Sequence, residues 1–189
     1  MENESEGNVL FEPTRISGMW KIHIEPKEDE RGSFGRMFCQ DTFHENGLIT
    51  EFCQTSISRT VHKGTVRGMH MQRSPSEEVK LIYCSRGGVF DVVCDVRKSS
   101  PTYLEKAEIF LDEYSNFFLY VPEGCLHGYQ TLQDHSVIHY SISKNYDPIS
   151  ACGVRYDDPF LGIKWPLHVS VISEKDRLFP LFGTEDFNI

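Results

Sequence analysis

Apolar and polar residues alternate with period two in short runs along the chain, and Gly, Pro, Asn and Asp separate the runs. The clearest run is Gly88–Arg97, where Phe90, Val92, Cys94 and Val96 alternate with Val89, Asp91, Val93, Asp95 and Arg97. Similar runs predict strands over Met19–Ile24, Ser33–Cys39, Glu51–Ser58, Gly64–Gln72, Val79–Ser85, Glu105–Leu111, Phe117–Val121, Gly128–Thr131 and Ser136–Ser143. Helical periodicity is weak: one turn is predicted over Asp41–Gly47 and another over Ser173–Leu178, with Ser173 as its cap. Regular strand spacing without internal repeats points to an antiparallel sandwich or barrel. The 189 residues suit one domain that buries most of its apolar surface.

Composition changes this picture little. Hydrophobic residues make up 39% and charged residues 25%, an ordinary globular balance. No apolar run approaches the roughly 20 residues that span a bilayer. The acidic opening MENESEGN resembles neither a secretory signal nor a basic transit peptide. Six cysteines stand singly, with no CxxC pair, which fits reduced thiols in the cytoplasm. Charge excludes more, because a formal net charge of −9 argues against nucleic acid or an anionic membrane as the main partner. An anionic small molecule stays open if arginines gather locally.

Two segments carry candidate chemistry: Gly64-Thr-Val-Arg-Gly-Met-His70-Met-Gln72 and Pro122-Glu-Gly-Cys-Leu-His127-Gly128. They resemble the two motifs of the cupin superfamily. That resemblance implies a mainly β fold, a double-stranded β-helix or jelly-roll barrel with short peripheral helical turns. Metal-binding cupins carry a second histidine two residues after the first. Gln72 stands there in this chain, so these motifs do not offer a three-histidine metal site. Glu77 or Glu78 could in principle complete a site with His70 and His127. With no metal, a barrel histidine is either a core residue satisfied by a carbonyl or a base, since its ordinary pKa of about 6.5 suits proton transfer near neutrality.

Further segments follow in order: Asp29-Glu-Arg-Gly-Ser-Phe34, Gln54 with Ser58, Arg67 to Gln72 followed by Lys80-Leu81, Phe90 to Arg97, Ser100-Pro-Thr102, Val121-Pro-Glu-Gly124 with His127-Gly128, Tyr140, Tyr146-Asp-Pro148, Asp158-Pro159, Gly162-Ile-Lys-Trp-Pro166 and Ser173-Glu-Lys-Asp176. In this order the chain resembles the dTDP-4-dehydrorhamnose 3,5-epimerase family over nearly its whole length. The resemblance implies an isomerase acting on a nucleotide-linked 4-keto-6-deoxy sugar. The ketone acidifies the hydrogens on its two flanking carbons, so the chemistry needs a base, a positive group at the enolate oxygen and an acid across the ring. By resemblance His70 is the base, Asp176 orients and polarises it, Lys80 lies near the carbonyl oxygen, and Tyr140 returns a proton from the opposite side. His127 lines the pocket, Arg67 and Arg31 contact the diphosphate with Arg59 a further candidate, and Gln54, Gln72 and Tyr146 complete the substrate site. The resemblance further implies no cofactor and a homodimer, in which residues around Arg31 reach the neighbouring protomer's site.

Each role has a plainer rival. Lys80 could protect an edge strand from pairing, Tyr140 could be a core aromatic, and Asp176 could cap a short turn. The sequence also departs from the family pattern. Arg36 stands where a glutamate is usual near the nucleotide base, Ser56 replaces an asparagine, and Asn145-Tyr146 replaces a tyrosine pair. Thymine is therefore a default, with cytidine- and guanosine-linked sugars open, and inversion at C3, C5 or both is unresolved. Two other readings stand beside the epimerase: a metal-dependent cupin using His70 and His127, and a non-catalytic sugar-nucleotide binding protein.

Overall fold

The structure, a computed structural model, describes residues 9–183. Its first strands are β1 (Val9–Pro13) and β2 (Trp20–Ile24), then a small hairpin of β3 (Lys27–Asp29) and β4 (Gly32–Phe34). Helix α1 (Gln40–Glu45) leads into β5 (Gln54–Thr60), β6 (Val66–Gln72), β7 (Lys80–Arg86) and β8 (Gly88–Asp95). There follow β9 (Lys106–Asp112), β10 (Phe117–Val121), β11 (Cys125–Thr131), β12 (Ser136–Ile142), β13 (Ala151–Gly153) and helix α2 (Glu174–Arg177).

Two antiparallel sheets form the body, in the orders β1-β2-β10-β7-β12-β5 and β13-β6-β11-β8-β9. Their facing sides meet over Ile82, Cys84, Val89, Val93, Leu119 and Ile138. All eight residues of β8 are buried, because this strand is covered on both sides. Its Val89 and Val93 point between the sheets, whereas Phe90, Val92 and Cys94 point outward beneath Leu161, Ile163 and Trp165 of the C-terminal segment. Trp165 is anchored there, donating from Nε1 to the Tyr156 carbonyl at 2.8 Å. A third cluster seats Phe43 of α1 on Ile22, Phe118 and Tyr120.

Most predicted strands form within a few residues of their expected limits. The exception is Ser33–Cys39, of which only Gly32–Phe34 pairs. Beyond it the chain leaves the pleat, and Phe38 packs edge-on against Phe43 and Phe52, at 4.8 and 5.6 Å between ring centres. Strands β1, β3 and β13 are additions, each too short or too polar to show a period. Ser173 caps α2 as expected, its Oγ accepting from the Asp176 N–H at 3.1 Å. Among the described residues no helix is long and apolar enough to cross a membrane.

Candidate active site

The space between the sheets opens beside the β6–β11 pair, where the antiparallel register is broken between His127 and Tyr129. Gly68 adopts φ 136°, and a Cβ on it would lie 2.5 Å from the Gly128 Cα, so only glycine lets the two strands approach this closely. The pairing sets His70 opposite His127 in register, both directed inward. Asp176 reaches the same point from α2: its Oδ1 lies 2.8 Å from His70 Nε2, and its Oδ2 accepts from the Gly68 N–H at 3.2 Å. Burial alone would raise the Asp176 carboxyl. The bond and charge of His70, with help from Gly68 and Ser173, outweigh that and hold it below the usual value. Phe179 meets the His70 ring edge-on at 5.5 Å, and the imidazole keeps 40% exposure towards the cavity.

Across the barrel, β12 presents Tyr140, paired with Ile82 of β7 and Ser56 of β5. Its ring lies 6.2 Å from that of His127. Burial pushes the Tyr140 phenol well above its ordinary pKa, assisted by Tyr129 and Asp91. His127 is itself backed by a carboxylate, with Nε2 2.8 Å from Asp91 Oδ2. The other Asp91 oxygen, Oδ1, is buried without a partner.

Two cavities share His70 and Asp176 as a common wall. The larger, of about 460 Å³, holds Ser58, Arg67, His127, Tyr129 and Tyr140. The smaller, of about 270 Å³, holds Gln54, Gln72, Lys80, Lys144, Tyr146 and Lys175. Lys80 Nζ lies 2.9 Å from Glu78 Oε1, both side chains nearly buried. Because β7 sits between β10 and β12, Lys80 is not guarding an edge. Gln54 Oε1 accepts from the Tyr146 N–H at 3.1 Å, tying the mouth loop to β5. Gln72 donates to the Ser76 and Asn145 carbonyls at 2.9 and 3.3 Å and accepts from the Asp147 N–H at 2.6 Å, so its amide shapes the wall.

The sequence-predicted residues His70, Asp176, Tyr140, Lys80, Arg67, Gln54, Gln72, His127 and Tyr146 therefore line the two cavities on either side of the His70–Asp176 wall. Arg31 and Arg59 do not. Arg31 lies in the β3–β4 turn, 85% exposed and ion-paired with Asp29. Arg59 follows the alternation of β5 to the face opposite Ser58, where it is exposed. Sequence reasoning missed Asp91, Tyr129, Lys144 and Lys175, and weighed Glu78 only as a metal ligand beside His70 and His127. Asp91 was findable, as a carboxylate between two inward valines of β8. Both histidines turn Nε2 towards a carboxylate, and Glu78 faces Lys80. Among the described residues no three His, Cys, Asp or Glu side chains gather into a metal-binding group.

Two antiparallel sheets closed over a histidine-lined cavity define a jelly roll of the cupin type. The family model described as dTDP-4-dehydrorhamnose 3,5-epimerase matches residues 13–184. An enzyme of that name from Methanothermobacter thermautotrophicus is 39% identical over 170 residues, covering 88% of this chain and 91% of the relative. A dTDP-4-dehydrorhamnose 3-epimerase of Streptomyces niveus is 37% identical over 170 residues, covering 89% and 82%. The crystal structure of a dTDP-6-deoxy-D-glucose-3,5-epimerase from Legionella pneumophila, in complex with dTDP-4-keto-L-rhamnose, superimposes with a TM-score of 0.87 at 31% identity, covering 95% of each chain. The chain belongs to the dTDP-4-dehydrorhamnose 3,5-epimerase family and is an isomerase of the epimerase class.

Proposed function

We propose that the protein inverts one or both carbons flanking the ketone of a nucleoside-diphosphate-linked 4-keto-6-deoxy sugar, with a thymidine nucleotide the first candidate. The observation that carries this reading is the His70–Asp176 pair, 2.8 Å apart, on the wall shared by two cavities. In it, His70 removes the hydrogen beside the ketone. Asp176 fixes the imidazole and stabilises its protonated form. Lys80 offers positive charge to the enolate oxygen, and Tyr140 delivers a proton to the opposite face. Arg67 grips the diphosphate through its planar fork. His127, Gln54, Gln72 and Tyr146 shape the rest of the pocket.

The exposed Arg31 serves a neighbouring protomer's cavity in a homodimer, working in the cytoplasm on a deoxysugar pathway. Arg59 is turned to the outer face of β5, away from both cavities.

The test is solvent exchange. Thymidine-, cytidine- and guanosine-diphosphate 4-keto-6-deoxy sugars are incubated with the protein in D₂O and followed by NMR. Deuterium is expected at C3, C5 or both, undiminished after treatment with a chelator. No incorporation with any of the sugars sinks the epimerase reading, and loss of exchange on chelation points instead to a metal-dependent cupin.

A further inference from the structure

Two buried side-chain oxygens lack a hydrogen-bond partner among the described residues, Asp91 Oδ1 and Glu78 Oε2. Asp91 lines neither cavity, whereas Glu78 lines the smaller one beside Lys80, Ile142 and Cys152. The Glu78 side chain is only 6% exposed, and its other oxygen, Oε1, holds the Lys80 ammonium. Local structure fixes this placement. The Val79 N–H donates to Ser143 Oγ at 2.8 Å, and the Ser143 N–H donates to the Val79 carbonyl at 3.1 Å. Val79 is thereby held in the cluster with Phe43 and Phe118, and the extended chain on either side turns Glu78 and Lys80 to the cavity. The Gln72 amide nitrogen, on the same wall, already donates to the Ser76 and Asn145 carbonyls.

The ammonium of Lys80 already supplies positive charge, so Glu78 needs no second cation. A carboxylate is acceptor-only and takes several bonds, so what Oε2 lacks is a neutral donor such as a hydroxyl. Donor and acceptor stand side by side here. Lys80 can give a hydrogen to one ligand oxygen while Oε2 takes a hydrogen from the next. A ketone flanked by a hydroxyl-bearing carbon presents the matching pair. In a 4-keto-6-deoxy hexose C3 bears a hydroxyl on one side of the ketone, and C5 bears a methyl on the other. We propose that Glu78 is a specificity residue that accepts a hydrogen bond from the C3 hydroxyl while Lys80 holds the C4 oxygen. The hydroxyl stays protonated and no covalent bond breaks, so the contact selects and orients without entering the proton transfer. A sugar bound end for end sets its methyl against the carboxylate, so Glu78 fixes which flank of the ketone faces it. The ligand class narrows from any 4-keto sugar to one with a hydroxyl beside the ketone.

The inference rests on the epimerase reading, and its test separates the two. Thymidine-diphosphate 4-keto-6-deoxy sugars are compared that carry hydroxyl, hydrogen or fluorine at C3. Deuterium uptake from D₂O on the carbons flanking the ketone, followed by NMR, gives kcat/KM for each sugar with wild type and Glu78→Gln. Wild type is expected to prefer the hydroxyl over the deoxy sugar by about 30-fold, the scale of one hydrogen bond to a charged group. The fluoro sugar keeps an acceptor at C3 but has no hydrogen to give, and wild type is expected to disfavour it as well. In Glu78→Gln the preference for hydroxyl over deoxy is expected to shrink to about fivefold or less, that of a neutral bond. Any disturbance of Lys80 by the substitution slows all three sugars together and leaves their ratios unchanged. A preference that is the same in wild type and Glu78→Gln overturns the assignment, as does a wild type that treats the three sugars alike. If wild-type protein takes up no deuterium even with the hydroxyl sugar, the epimerase reading itself has failed, and this one with it.

Discussion

Asp176 gives both oxygens to this site, one to His70 and one to the Gly68 N–H. Replacing one oxygen by an amide nitrogen puts a donor where an acceptor is needed, leaving the imidazole in the wrong tautomer. Asp176→Asn is expected to lower kcat by roughly 10²–10⁴-fold while ligand binding, read by calorimetry, is kept. The carboxyl also ties stability to pH. Its folded-state value is depressed, so its contribution is complete above the unfolded carboxylate value of about 3.9 and is lost as pH falls through the folded one. The melting-temperature gap between wild type and Asp176→Asn should therefore be constant near neutrality and close in acid. Lys80 poses a different problem, since it neutralises the nearly buried Glu78. Lys80→Met alone is expected to cost roughly 3 kcal/mol in denaturant melts, because it strands a buried carboxylate. Adding Glu78→Gln should recover much of that stability and none of the turnover, dividing the structural part of Lys80 from its chemical part.

At the scale of elements, the close pairing of β6 with β11 sets the site. A methyl group at Gly68 meets the Gly128 backbone, and the positive φ adds strain of its own. Gly68→Ala is expected to cost about 2–3 kcal/mol or more and to pull the His70–Asp176 pair apart, read as a fall in both melting temperature and kcat. The same pair of strands shows what the sequence could and could not reveal. The interior strands were legible because an apolar run bounded by turn residues marks a strand covered on both sides, as in β8 and in β10, whose limits were met residue for residue. The His70 and His127 motifs were legible because their spacing is fixed by the strands that carry them. Hidden were the residues placed by partnership across the fold. Asp91 and Tyr129 look like ordinary inward positions until His127 and Ser58 are found beside them. Arg59 misled because β5 carries alternate residues to opposite faces, and its register is set by β12 rather than by local composition.

For the whole molecule, burial between layers governs the cysteines. Enclosure pushes the Cys84 thiol to about 11 and those of Cys94 and Cys125 to about 12, while Cys53 is exposed. A thiol reagent at neutral pH is expected to modify Cys53 at once and these three only as the barrel opens, so mass spectrometry of labelled peptides follows global unfolding. The order in which the parts meet has a further consequence. His70 and Asp176 are 106 positions apart, and every strand of the barrel precedes the segment that delivers the carboxylate. Every strand is therefore made before Asp176, and a chain that lacks the segment after β13 carries an unassisted imidazole. The segment that follows β13 thus acts as the maturation step, and the site becomes competent only once α2 has docked beside His70.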